Sequence, residues 1–265
     1  MAYETIRIAT DERGVCQLTL ARADVHNAMN KALIAEMRDA VKAIAKDPKV
    51  RVVVLTGEGK SFCAGGDLRW MKANVDMARE GRIAEAGELA DMLHEIDTLP
   101  KPVIGRINGP AYGGGVGMMA VCDLAIGVSS ARFGLTEVRL GLIPATISPY
   151  VVRRMGPGNA RRVFFSGRLF SAEEARALNL LSAVVAPEAL DEAVEKEIAE
   201  LLQAAPGAVG ATKRLVDFVA SHDHAANRDY TLTALADAWE TEEGQEGIQA
   251  FLNKETPWWR KGNQS

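Results

Sequence analysis

At 265 residues, with 48% hydrophobic and 25% charged side chains, the chain has the balance of an ordinary soluble globular protein, one large domain or one domain with an appendage. A net charge of −4 excludes the strongly basic surface of a nucleic-acid binder. No apolar run reaches the ~20 residues that a membrane-spanning helix needs, so neither nucleic acid nor membrane is an expected partner. The cysteines Cys16, Cys63 and Cys122 match no zinc spacing. Their odd number and an N-terminus without leader character give a reduced, cytoplasmic protein as the expectation.

In chain order, residues 4–10 and 15–20 alternate in hydrophobicity around Asp11-Glu-Arg-Gly14, which predicts an opening β-hairpin. Residues 23–29 read as a loop in which His26 is solvated. Asn30 is placed to cap a helix carrying Leu33, Ile34, Met37, Val41 and Ile44 on one face. Asp47-Pro48 ends that helix, and a buried strand follows at 52–55. Directly after it, residues 61–68 read SFCAGGDL, a loop of small residues. Residues 70–88 are polar, rich in alanine and methionine, and poorly patterned. They read as a solvated face or, from their position, as a lid over whatever the loop binds. Leu89, Met92, Leu93 and Ile96 then form a helical core stripe, with His94 on its surface.

Residues 102–107 predict a strand that leads into NGPAYGGGVGMMAVCD at 108–123. Three consecutive glycines before an apolar run read either as a tight packed turn or as a turn whose free amides open a short buried helix toward a ligand. Residues 133–144, FGLTEVRLGLIP, place Glu137 in apolar surroundings, with a surface pairing to Arg139 as the bland alternative. Two glycine-borne amides and one acid suit acyl chemistry. The amides hold a developing enolate oxygen while the acid moves a proton on the adjacent carbon. Ser171 with Glu174 predicts a capping box for a helix through Leu180, and 182–185 a last short strand. Beyond Pro187 the pattern is helical, with more apolar side chains than a lone tail can bury. No Walker motif or dinucleotide fingerprint occurs.

In this order the three motifs resemble the crotonase family, also called the enoyl-CoA hydratase/isomerase superfamily. The resemblance extends through DVHNAM at 24–29 and from EGIQAF at 246–251 to PWWR at 257–260, essentially the whole chain. It implies an α/β fold: a crotonase-like repeated β-β-α superhelix with the active site over 1–200. Residues 201–265 would form a helical C-terminal subdomain that packs subunits into a homotrimer or a dimer of trimers. It also implies oxyanion amides at Gly66 and Gly114 and an acid/base at Glu137. Contacts to the CoA and acyl parts of the substrate fall on His26, Asn27, Ala28, Ala64, Gly65, Asp67, Leu68, Gly113 and Gly117. No metal is implied, nor any cofactor beyond the CoA of the substrate.

The family's first catalytic glutamate falls on Gly117, which has no side chain; the gap predicts either close packing or room for a bulky acyl group. Residues 145–149, ATISP, resemble bacterial methylglutaconyl-CoA hydratases at a place where many members end a glycine run in Thr-Gln-Arg. The resemblance therefore implies hydration or dehydration of a short branched or dicarboxylic enoyl-CoA. Enoyl-CoA isomerisation by the single Glu137 and a catalytically weak acyl-CoA-binding protein stand as alternatives.

Overall fold

The computed structural model describes residues 3–261; the outermost residues of the two expected segments lie outside them. Strands β1 (Ile6–Thr10) and β2 (Val15–Leu20) form the expected antiparallel hairpin, with Ile6 opposite Leu20. Its turn is held by Asp11, which accepts from the amides of Arg13 and Val15, both at 2.9 Å. Helix α1 (Lys31–Lys46) starts at Asn30, whose side chain accepts from the Leu33 amide. Its apolar face buries Leu33, Ile34, Met37, Val41 and Ile44. Such a stripe, repeating every three to four residues, is what drives a helix onto a sheet. Strand β3 (Val52–Gly57) is buried along its whole length and pairs parallel with β2.

Residues 68–97, of which 70–88 are poorly patterned in sequence, form two helices, α2 (Leu68–Val75) and α3 (Arg79–Asp97). The missing pattern has a physical cause: α2 buries no residue at all. Polar groups hold it instead. Asp67 caps its start by accepting from the Arg69 amide, and the Arg82 guanidinium donates to the carbonyls of Asn74 and Val75 in its last turn. The core stripe of α3 contains Leu89, Met92, Leu93 and Ile96, and His94 is exposed.

Two strand–turn–strand units follow. Strands β4 (Val103–Ile107) and β5 (Ala111–Tyr112) precede α4 (Gly114–Ala120). Strands β6 (Leu124–Val128) and β7 (Arg132–Gly134) precede a 3-10 turn, Thr136–Leu140, and helices α5 (Ser148–Met155) and α6 (Pro157–Phe164). After β8 (Leu169–Ser171) comes α7 (Ala172–Ala177). Ser171 accepts from the Glu174 amide, but the Glu174 carboxylate pairs with Arg168, so only half of the expected capping box forms. Helix α7 also stops short of Leu180, and Asn179 turns into the left-handed region at φ 65°.

Strand β9 (Ala183–Val185) and α8 (Leu190–Leu201) complete the part built on the sheet. The six-stranded sheet runs β1-β2-β3-β4-β6-β9, parallel after the opening hairpin, and β5-β7-β8 form a second sheet. The architecture is α/β. Every parallel pairing needs a crossover, and the loops that leave β3 and β4 carry the glycine motifs.

Helices α9 (Pro206–Ser221), α10 (His224–Glu240) and α11 (Glu242–Asn253) pack on one another, with Phe218 stacked on Tyr230 at 3.9 Å between ring centres. The chain then returns to the sheet. Arg51, at the start of β3, donates to the carbonyls of Trp259 and Leu202 at 2.8 Å and of Ala204 at 3.1 Å. Bonds from a charged, partly desolvated donor are worth more than neutral ones. Arg51→Met is therefore expected to lower unfolding free energy by roughly 3 kcal/mol in chemical denaturation.

Candidate active site

The two glycine loops are sewn together by backbone. The Phe62 and Cys63 amides donate to Pro110 O at 3.0 and 3.3 Å, and the Tyr112 amide returns to Cys63 O at 3.0 Å. Approach this close leaves no space for side chains. A Cβ on Gly115 would stand 3.0 Å from Cys63 Cβ and collide with its carbonyl oxygen. A Cβ on Gly65, already at φ 88°, would stand 2.8 Å from Tyr112 O.

This packing brings the amides of Gly66 and Gly114 into one region. Gly114 is the first residue of α4, so its N–H has no helical acceptor. Among the described residues neither N–H finds an acceptor elsewhere. Met29 joins the two positions. Its amide donates to Gly65 O at 2.7 Å and its carbonyl accepts from Asp67 N at 2.8 Å, while its thioether lies against Gly114, with Sδ 3.5 Å from where a Cβ would be.

Glu137 arrives from the second unit. The Gly113 amide donates to Gly134 O at 2.9 Å, which ties the glycine turn to the end of β7, three residues before the acid. Gly113 has φ 49°, and its missing side chain makes way for the carboxylate: Glu137 Oε1 lies 3.0 Å from the position a Cβ would take. Glu137 Oε2 is buried with no hydrogen-bond partner. Desolvation pushes its carboxyl above the ordinary value of 4.5, against a smaller opposing effect from its own backbone amide. Arg139 does not pair with it and donates instead to Ser166 O at 3.1 Å. The arrangement is two unpaired N–H donors beside one partly desolvated acid whose Oε2 has no partner.

The expected CoA-contacting residues gather on the same rim. Ala64 N donates to His26 O at 2.9 Å, which joins the 26–29 loop to the first glycine loop. His26 is exposed, with Nδ1 3.0 Å from Ser61 Oγ. The Asn27 side chain is fully buried and committed to the loop: it accepts from Arg22 N and donates to Glu58 O and Ser61 O, each at 2.9 Å. Asp67 pairs with Arg22 at 2.8 Å, a bond that holds its carboxyl below the usual carboxylate range. Arg22 also donates to the Ala28 carbonyl. Leu68 is 81% exposed, an apolar side chain left in water next to the Asp67 cap.

Gly117 differs from the reading that leaves room for an acyl group. It is buried, and a Cβ there would stand 2.9 Å from Ile147 Cβ, closer still to the Cγ2 methyl, and 3.7 Å from Leu93 Cδ1. The place is filled by an isoleucine, so close packing accounts for the glycine. Met29, Ile147, Trp70 and Glu85 were not singled out by the sequence. Their contacts join distant segments, and only the indole at position 70, four residues past Gly66, offered a local signal.

Paired amide donors beside one buried acid are a set suited to stabilising an enolate oxygen and moving a proton next to it. A model of the enoyl-CoA hydratase/isomerase family matches residues 10–262, and the chain belongs to that family. It is 36% identical over 261 residues to a crotonyl-CoA hydratase of Syntrophomonas wolfei, covering 96% of this chain and 97% of the relative. Among solved structures, Pseudomonas aeruginosa AtuE superposes with a TM-score of 0.94 at 35% identity, over 97% of this chain and 100% of the other. An enoyl-CoA hydratase from Shewanella pealeana gives 0.93 at 35% identity, over 97% and 96%. The crotonase fold and the enzyme class follow from these matches.

Two outcomes are expected from this geometry. Gly117→Ala should destabilise by about 1–3 kcal/mol through overpacking, and pairing it with Ile147→Ala should recover part of the loss in urea unfolding. Glu137 has a raised pKa in the fold, so ionising it costs stability as pH rises from its unfolded value through its folded one. Glu137→Gln should therefore melt above the parent at about pH 8, with the difference closing below the ordinary value of 4.5.

Proposed function

We propose that this enzyme adds water to, or removes it from, a short branched or dicarboxylic enoyl-CoA of the methylglutaconyl type. The observation that carries the proposal is the buried Glu137 carboxyl beside Gly113, its Oε2 without a partner, next to the two free amides of Gly66 and Gly114. In this reading the thioester oxygen accepts from both amides, which stabilise it most when it carries enolate charge. Water adds to the β-carbon as Glu137 takes the proton that water loses and delivers one to the α-carbon. A carboxyl raised by burial suits both halves of that transfer, since its acid form persists closer to neutral pH. The ATISP segment at 145–149 supports the branched or dicarboxylic choice.

The role of the rim loops is to seat the CoA handle, with His26, Asn27 and Ala28 on one side and Ala64, Gly65, Asp67 and Leu68 on the other. CoA is part of the substrate, and the proposed reaction uses no cofactor and no metal. A cytoplasmic homotrimer or dimer of trimers completes the reading. Leu235, Trp239, Phe251 and Trp258 on and after α10 and α11 are 51–82% exposed, an apolar surface that a second copy would cover.

One observation favours a second reaction. Ile147 fills the place where a second carboxylate would stand, and a single base is sufficient to move a proton between the α- and γ-carbons of an enoyl thioester. Enoyl-CoA isomerisation is therefore the alternative. Turnover in water enriched in heavy oxygen separates the two, because hydration incorporates the label and isomerisation does not. Glu137→Gln is expected to lose roughly 10²–10⁴ in turnover with little change in acyl-CoA affinity. Double-bond movement that depends on Glu137 and carries no label into any enoyl-CoA would replace the hydratase reading with the isomerase one.

A further inference from the structure

Trp70 packs against Gly66, one of the two glycines whose amides are free. It lies four residues after Gly66, in the first turn of α2, and its Cε3 and Cζ3 atoms are each 3.5 Å from the position of a Cβ on Gly66. Met71 Cγ lies 3.4 Å from the same point. These are ordinary van der Waals separations, so no chain of atoms passes between the indole and the glycine.

The ring is also pinned. Its Nε1–H donates to Glu85 Oε2 on α3 at 3.0 Å, and Glu85 Oε1 takes the Lys31 ammonium of α1 at 3.0 Å. Glu85 is only 16% exposed, and the Trp70 bond, followed by Lys31, holds its carboxyl below the usual range. Because α2 buries no residue of its own, this bond does what core packing does elsewhere: it fixes where the ring points.

We propose that Trp70 is a specificity-determining residue, the wall that limits which acyl groups fit beside Gly66, and that Glu85 is its positioning residue. The inference rests on the reading of Gly66 as the thioester-oxygen donor. An acyl group whose carbonyl oxygen lies on that amide meets the benzo ring of the indole and the Met71 side chain alongside, an apolar wall that a compact or branched group can lie against. A straight chain of eight carbons would have to displace the ring.

Binding of saturated acyl-CoAs tests this without requiring any chemistry. Butyryl-CoA and octanoyl-CoA are titrated calorimetrically into the parent, Trp70→Ala, Glu85→Gln and Glu85→Leu, with folding checked by circular dichroism. Trp70→Ala is expected to shift the octanoyl-to-butyryl affinity ratio toward octanoyl by about 10-fold or more, the size of a methylene-scale pocket change. Glu85→Gln still accepts from the indole N–H and should keep the parent ratio. Glu85→Leu leaves the indole N–H without its acceptor and should move the ratio in the same direction as Trp70→Ala.

An unchanged ratio in folded Trp70→Ala overturns the wall, and parent-like behaviour of Glu85→Leu overturns the positioning role. A parent that binds acyl-CoA with this Trp70 dependence but turns over no enoyl-CoA upholds the inference while the proposed reaction fails. A parent that binds neither thioester overturns both.

Discussion

The site depends on how closely the loops after β3 and β4 approach each other. Cys63 and Tyr112 share a backbone hydrogen bond, and Gly115 presses against Cys63 with no space for a side chain between them. A methyl group at Gly65 or Gly115 would force the loops apart and separate the two free amides. Glycine is needed here for contact distance as much as for backbone angle. Once the loops are joined, the Gly113 amide reaches Gly134 and draws the Glu137 turn against the same point. Donors fixed in this way by the fold need no reorganisation as charge develops, the condition under which such donors stabilise a transition state most.

The two departures from the family pattern are one physical feature. Gly117 lacks the first glutamate, and 145–149 lack the usual glycine run. Ile147, from the second segment, fills the space above the first. A glutamate at 117 would need Ile147 to leave, and a smaller residue at 147 would leave a hole over Gly117. The helix α4 therefore faces an apolar neighbour, and the site has a single acid whose burial raises its pKa with no opposing cation beside it. In the proposed reaction that combination would concentrate the proton chemistry on Glu137.

Much of this was legible in the sequence because it is local. The Asn30 cap, the opening hairpin and the glycine turns each lie within a few residues of their cause. The glycine runs and an acid among apolar residues stand out as patterns, and the resemblance to the family is what singles out Gly66 and Gly114 within those runs. The span from 70 to 88 was opaque for a reason visible in α2. A helix that buries nothing leaves no hydrophobic period to read. The Trp70–Glu85 bond crosses fifteen residues and two helices, and the Met29–Gly114 and Ile147–Gly117 contacts join segments with no shared pattern. Half of the Ser171–Glu174 capping box was lost to Arg168, a competitor only three residues upstream of Ser171. Tertiary partners decided each of these outcomes.

The two proposed reactions, hydration and isomerisation, share one step: loss or gain of an α-proton against an oxygen that, in this reading, Gly66 and Gly114 hold. Butyryl-CoA has an α-proton and no double bond, so it isolates that step from everything that follows. Incubated with the enzyme in heavy water and followed by mass spectrometry, it should gain deuterium at the α-carbon, with the exchange abolished in Glu137→Gln. Butyryl-CoA that binds but exchanges no faster than in buffer, or exchange that survives the loss of the Glu137 carboxylate, would contradict a site built on two amides and one acid.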